Sequence, residues 1–229
     1  KAGADGNGTC GLFDPKTGKF VGKHDFNQIF WYDQHFIGTR SRGTKSYLLD
    51  GKGGETLLPA NVKEYSSWAK TEVAAAEEHG LIESFSYPKL DITRENFTML
   101  AMNLYNKIYP NKEIPAPETK FADCSDDPNV NNAAALGIVT GYEDGTFRPD
   151  TYITRAQAMT MINRVLNRIP EENGDLLAGM NVWPDCNPGD WFYLAVQEAT
   201  NSHDYKHKAG NYETWTSMNK DPNWTRYEN

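Results

Sequence analysis

Gly137-Ile138-Val139-Thr140-Gly141-Tyr142-Glu143-Asp144-Gly145-Thr146-Phe147-Arg148-Pro149-Asp150, closed by Ile153-Thr154-Arg155-Ala156-Gln157-Ala158, is the stretch on which the reading of this chain turns. Gly137 is a helix stop, because a helix commonly ends on a residue in the left-handed conformation that glycine adopts without strain. Asp144-Gly145 is a turn signal, and its flanks Val139, Tyr142 and Phe147 are suited to pair as a tiny hairpin. Thr154 is placed to cap a following helix, and Gln157 three residues on completes a capping box. That helix presents Ala158, Met161, Ile162, Val165 and Ile169 on one face. A short helix over 131–136 precedes Gly137, so the unit reads as helix, compact loop, capped helix.

Working outward, the same plan recurs with a period of about sixty residues. Ile92-Thr93-Arg94-Glu95 returns 61 positions later as Ile153-Thr154-Arg155-Ala156. Phe121-Ala122-Asp123-Cys124 returns 62 positions later as Trp183-Pro184-Asp185-Cys186, and Trp191 stands 123 positions after Trp68. Three registers agree within two residues, which indicates three units, over 59–120, 121–182 and 183–229. In the first, 68–79 reads as a helix stopped by Gly80. Thr93 caps a longer helix carrying Phe97, Leu100, Ala101, Leu104, Tyr105 and Ile108, which Pro110 ends. The third begins with a helix over 191–200 but lacks both the Gly-Tyr-x-Asp-Gly-Thr-Phe loop and the second capped helix. Its tail carries His203, Tyr205, Tyr212, Trp215 and Trp224, and either a short irregular helix around 212–218 or the N-terminal extension is expected to fill the gap. Residues 1–58 read differently. Turns at Asp14-Pro15-Lys16-Thr17-Gly18 and Gly51-Lys52-Gly53-Gly54 enclose aromatic and β-branched segments, 19–36 and 47–49, that suit short strands.

Composition narrows the function. With 31 acidic against 23 basic residues the formal charge is -8, which argues against general nucleic-acid binding but leaves room for a small basic pocket. No run approaches the length of a membrane span. Cys10, Cys124 and Cys186 include no Cys-x-x-Cys pair, and no histidine stands near them at a metal-like spacing, so no metal site is expected. Neighbouring acids at Glu77 and Glu78, Asp126 and Asp127, and Glu171 and Glu172 read as solvated surface. They are not a catalytic pair across a cleft, and no enzymatic activity or cofactor is expected. Asp144 to Asp150 lacks the alternating ligands and terminal glutamate of a calcium loop.

Residues 59–200 resemble three S-layer homology motifs. The second is nearly complete, the first lacks the Gly-Asp-Gly-Thr-Phe loop, and the third is truncated. The resemblance implies a mainly α fold, a pseudo-threefold bundle of helix-loop-helix repeats with the long helices 93–109 and 154–169 at its centre, here preceded by a small β-containing segment. It also implies an extracellular protein of the bacterial surface or S-layer, held non-covalently to the wall. The partner would be secondary cell-wall polysaccharide, often bearing a pyruvate ketal, bound in grooves between the repeats, without nucleic acid and without membrane insertion. A monomer is the favoured state. A self-assembling protein–protein scaffold and the targeting module of a wall hydrolase are the competing readings.

The candidate ligand residues follow from that resemblance. Arg94 and Arg155 sit in the first turns of the capped helices. A cation there needs a reason, either a bound anion or a neighbouring acid. A guanidinium meets a carboxylate with two parallel donors, and open backbone N–H groups at a helix start favour the same anion. Trp68 and Trp191, at matching places, are suited either to packing or to stacking on the C–H face of a sugar. Gly141 and Gly145 permit close backbone approach, Asp144 is placed to cap its own loop, and the Tyr142 hydroxyl is within reach of a groove.

Overall fold

The computed structural model describes residues 2–4, 9–32, 35–40, 45–58, 66–82, 91–118, 121–124 and 126–220. The chain divides into two compact units, one of 1–64 with 84–88 and one of 65–83 with 89–229. The expected repeat boundary near 59 and the end of the aromatic tail, Trp224 included, lie outside the described residues.

The first unit is built of strands. An antiparallel sheet of β1 (Ala2–Ala4), β2 (Cys10–Asp14) and β3 (Lys19–Phe26) is followed by a four-stranded antiparallel meander. The meander comprises β4 (Gln28–Tyr32), β5 (His35–Arg40), β6 (Lys45–Leu49) and β7 (Glu55–Leu57). Both turns legible in the sequence are braced by an aspartate. The Asp14 carboxylate accepts from the Lys16 N–H and the Thr17 hydroxyl, each at 2.9 Å, and the Asp50 carboxylate from the N–H groups of Lys52 and Gly54, each at 2.8 Å. Leu12, Phe26 and Leu49 form the small core. The Arg40 guanidinium lies 4.0 Å from the Phe26 ring centroid and pairs with Glu55 and Asp25, which covers the core with a neutralised cation.

The second unit holds the five α-helices among the described residues. They are α1 (Lys70–Glu78), α2 (Arg94–Ile108), α3 (Pro128–Ala135), α4 (Arg155–Leu166) and α5 (Tyr193–Thr200). The caps form as the sequence requires. The Thr93 hydroxyl accepts from the Asn96 N–H, and Thr154 and Gln157 make the reciprocal box at 3.2 and 3.1 Å. Gly137, at φ +70, ends α3. The α2 helix packs on α3 and α4, and α4 packs on α5. Ala101, Met102 and Tyr105 of α2, Val130 and Ala133 of α3, and Met161 and Val165 of α4 close around Phe121, Ile138, Val139 and Phe147.

Two expectations are corrected. The chain is not a mainly α bundle: nine strands in three sheets accompany the helices among the described residues. Nor is 212–218 helical. It forms β9 (Glu213–Met218), paired antiparallel with β8 (His203–His207) across a turn with Gly210 at φ +80. The physical reason is visible in the pattern. Glu213 and Trp215 point inward while Thr214 and Thr216 are more open, a period of two carried by β-branched and aromatic residues. A helix-period face is absent there, and the space left by a missing helix was the wrong basis for assigning one. The tiny hairpin expected around Asp144-Gly145 is a tight turn, with the Tyr142 N–H donating to the Thr146 carbonyl at 2.8 Å and the Gly145 N–H to the Tyr142 carbonyl at 2.9 Å.

Candidate ligand grooves

Asp123 holds the loop that shapes the first groove. Its two carboxylate oxygens accept from the N–H groups of Phe147 and Arg148, each at 2.8 Å. This fixes Phe147 in the core and orients its carbonyl, along with that of Thr140, toward Arg94. The Arg94 Nε donates to the Phe147 carbonyl at 3.0 Å and a terminal nitrogen to the Thr140 carbonyl at 3.2 Å. Its guanidinium carbon lies 4.6 Å from the Phe147 ring centroid and 5.3 Å from that of Tyr142. Arg94 is therefore carried by α2 but seated on the loop before α4.

Beside it is a groove of about 240 Å³, walled by Arg94, the backbone from Ile138 to Tyr142, Gln157 and Arg164 of α4, and Trp191. Arg164 donates to the Ile138 carbonyl at 3.2 Å. Burial lowers the pKa of both arginines, yet a guanidinium stays charged across the accessible pH range. Neither has an acidic partner within ion-pair distance among the described residues, and no acid lines the groove. The result is two partly desolvated positive charges whose acceptors are backbone carbonyls. Trp191, 68% exposed, presents an indole at the rim.

A second groove of about 410 Å³ is lined by Arg155 and Met159 of α4, by Trp183, Asp185 and Cys186, and by Phe192 and Thr200. Arg155 is exposed and makes no ion pair among the described residues. The Trp183 Nε1 donates to the Thr200 hydroxyl at 2.9 Å, which fixes the indole plane. Burial pushes the Cys186 thiol up, with Asp190 and Asp185 adding to the effect, so it is a poor nucleophile near neutral pH.

The structure thus brings Arg94, Gly141, Tyr142 and Trp191 to one groove and Arg155 to another. Trp68, Asp144 and Gly145 line neither. The Asp144 carboxylate accepts from the Thr146 hydroxyl at 2.6 Å and N–H at 3.0 Å and pairs with Arg148 at 3.0 Å; these bonds, the Thr146 hydroxyl first, hold its pKa down at about 2. Gly145 lies at φ +77 in the turn, and Gly141 is required because a Cβ there would stand 2.4 Å from the Phe121 ring. Open N–H groups at the start of α2 are not available either. Those of Arg94 and Glu95 donate to the carbonyls of Thr151 and Pro149 at 2.9 and 3.1 Å, so any anion there is held by side chains. Sequence reasoning missed Arg164, Gln157, Trp183 and Phe192. Arg164 lies nine residues beyond Arg155 on the same helix, but a polar residue in the last turn reads first as a partner of the helix dipole.

Among the described residues two groups of side chains have metal-ligand chemistry, Glu95 with Cys124 and Asp127, and Glu198 with His203 and Glu213. In both the acceptors are already engaged. Asp127 caps α3 through the N–H groups of Asn129 and Val130, and the Arg168 guanidinium lies against both Glu198 and Glu213.

Residues 120–159, which run from Asp123 and α3 through the loop to the first turn of α4, match the family model described as the S-layer homology domain; Arg94, Arg164 and Trp191 of the first groove lie outside the match. The chain is 26% identical over 166 residues, 67% of its length, to Cell surface glycoprotein 1 of Acetivibrio thermocellus. It is 28% identical over 148 residues to the Cellulosome-anchoring protein of the same organism, and 34% identical over 112 residues to the Amylopullulanase of Thermoanaerobacterium thermosulfurigenes. These stretches cover 62% and 44% of this chain. The matched regions span 7%, 32% and 6% of those three proteins respectively, so the chain corresponds to a small part of each. No solved structure matches.

Proposed function

We propose that this chain is a binding module that holds its protein to the bacterial cell wall by engaging an anionic wall polysaccharide in the Arg94 groove. Cell-wall anchoring in general, and an extracellular location at the cell surface, are supported by the S-layer homology segment and by relatives named for cell-surface and anchoring proteins. The observation that carries the finer reading is the pair Arg94 and Arg164, two guanidinium groups partly removed from water beside one groove that no acid lines, with Asp123 acting on Arg94 only from beyond ion-pair distance. A carboxylate on the ligand supplies the missing charge, in fork geometry with charge-assisted bonds. A pyruvate ketal on a terminal sugar has that chemistry, and Trp191 offers a face for the sugar ring. Secondary cell-wall polysaccharide is the partner this reading names.

The Arg155 groove is a second, weaker subsite. Trp183 and Phe192 provide aromatic surface, but Asp185 opposes an anion. Asp185 stands where Asp123 stands one period earlier, and no Gly-Asp-Gly-Thr-Phe loop follows for its carboxylate to brace. Neither groove juxtaposes two carboxylates, and the module acts by binding without chemical turnover. Sedimentation of the chain with Gram-positive wall tests the reading. Binding is expected to intact wall and to be lost when the secondary polymer is stripped; equal binding to both preparations overturns it.

A further inference from the structure

Arg168, Glu198, His203 and Glu213 meet at the point where the β8–β9 hairpin packs on the rest of the second unit. The side chains of Glu198, His203 and Glu213 are 3%, 2% and 0% exposed. Arg168, just past α4, donates from Nε to Glu213 at 2.7 Å and lies 2.8 Å from Glu198 of α5. Its Nη2, the atom 2.8 Å from Glu198, is 2.7 Å from His203 Nε2, which also faces Glu198 at 3.1 Å and Glu213 at 3.4 Å. The Trp215 Nε1 donates to Glu198 at 2.8 Å, and the indole stacks on the His203 ring at 3.9 Å.

The proton count follows from these contacts. His203 Nδ1 is 2.7 Å from the Asn201 carbonyl and must carry a hydrogen. Nε2 then accepts from Arg168 if the ring is neutral. In that state two carboxylates face one guanidinium, and the buried cluster has one negative charge too many. A single proton, shared between the Glu213 carboxyl and the His203 ring, removes the excess. Burying an uncompensated charge is far costlier than holding that proton.

We propose that docking of the β8–β9 hairpin takes up one proton into this cluster, so that the hairpin is locked in mild acid and loosens as the medium turns neutral to alkaline. Burial, with the facing Glu198 carboxylate, pushes Glu213 up to about 7. Burial opposes charging of His203, but its hydrogen bond and charge interaction with Glu198 outweigh this and raise its pKa. Glu198 itself resists charging by burial, yet the bonds from His203, Glu213 and Trp215 hold it low. The groups facing the cluster are thus Arg168 beyond α4, Glu198 on α5, His203 on β8 and Glu213 on β9. Asp175, between α4 and α5, is turned to Lys208 at 2.9 Å, and Asp204 of β8 is turned outward to Ser217 and Asn219.

The sign is fixed by the direction of the shift. A carboxyl raised from 4.5 to about 7 holds its proton when docked and loses it when undocked between those values. The undocked His203, however, carries a proton of its own below its ordinary value of 6.5. The one proton of the docked cluster is therefore a net uptake only above that value, and docking weakens as pH rises from about 6.5, by up to about tenfold per unit for one linked proton. The raised Glu213 and the raised His203 express this one shared proton and are not counted twice. The lowered acids, Asp14, Asp25, Asp50, Glu55, Asp144, Asp175, Glu198 and Asp204, act only at lower pH, where stability falls with falling pH. Lys208 and the Cys186 thiol, both raised, act above pH 9.

Amide hydrogen exchange of the β8 and β9 residues in the 229-residue chain, corrected for the intrinsic pH dependence of exchange, tests the proposal. Protection is expected to stay level from about pH 5 to 6 and to fall, by up to about tenfold per unit, above about pH 6.5. In Glu213→Gln, which imitates the protonated carboxyl, no fall above about pH 6.5 is expected. Flat or rising protection above about pH 6.5 in the unaltered chain, or an undiminished slope in the variant, overturns the proposal. If Glu213→Gln does not fold, carboxyl 13C titration of the unaltered chain decides: a Glu213 and His203 pair that takes up its proton near pH 7 supports it, and a Glu213 midpoint near 4.5 with His203 near 6.5 refutes it.

Discussion

Arg94 carries a charge into a pocket where only carbonyl oxygens and aromatic faces meet it. Two hydrogen bonds and the rings of Phe147 and Tyr142 hold its plane, leaving N–H donors toward the groove. A lysine there keeps the charge but loses the fork and the stacking. Arg94→Lys is expected to weaken wall binding by ~1.5–3 kcal/mol if the guanidinium meets a carboxylate directly. Arg155→Ala, at an exposed residue of the subsidiary groove, is expected to weaken binding less and leave the melting temperature nearly unchanged. Co-sedimentation and thermal melting of both variants check this; a larger binding loss in Arg155→Ala would exchange the ranks of the grooves. Gly141 is the complementary case. Its Cβ would meet Phe121 at 2.4 Å and the Thr146 carbonyl at 2.9 Å, so Gly141→Ala must displace the loop. A loss of about 1–3 kcal/mol by denaturant unfolding is expected, as for other overpacked sites.

At the scale of the element, the capped helices were the most legible part of the sequence. Thr93, Thr154 and Gln157 act locally, and the capping bonds depend on residues three apart. Removing the Thr154 hydroxyl leaves the Gln157 N–H without its acceptor, so Thr154→Ala is expected to destabilise the second unit by about 1 kcal/mol in urea titration. A shift below a few tenths would mean that the exposed cap is replaced by water. The hairpin β8–β9 was not legible, because its reason is tertiary. Trp215 and Glu213 are inward only through partners on α5 and beyond α4, at 2.8 and 2.7 Å respectively. The groove membership of Arg164 was hidden for the same reason, since nothing local joins it to the Ile138 carbonyl. Trp68 and Trp191 hold matching sequence positions, yet only Trp191 faces a groove among the described residues.

Across the whole molecule, the two units keep separate cores. The strands of the first close on Leu12, Phe26 and Leu49; the helices of the second close on Phe147, Met102 and Val130. Residues 1–58 carried turn signals that the structure uses, but poor alternation in 19–36 concealed the number of strands. Every residue lining the two larger grooves belongs to the second unit. A chain of 65–229 is therefore expected to keep its helical circular dichroism and its wall binding, whereas 1–64 alone should not bind wall. Loss of binding from a folded 65–229 chain would assign a binding role to the first unit.

Calorimetric titration of the chain with purified secondary polymer, before and after removal of pyruvate, tests the central claim that the Arg94 groove recognises an anion. Binding to the pyruvylated polymer should be tight. It should fall tenfold or more after pyruvate removal, to the level at which Arg94→Lys binds the untreated polymer. Equal affinity for both polymers, with Arg94→Lys folded and unchanged in binding, would contradict the account.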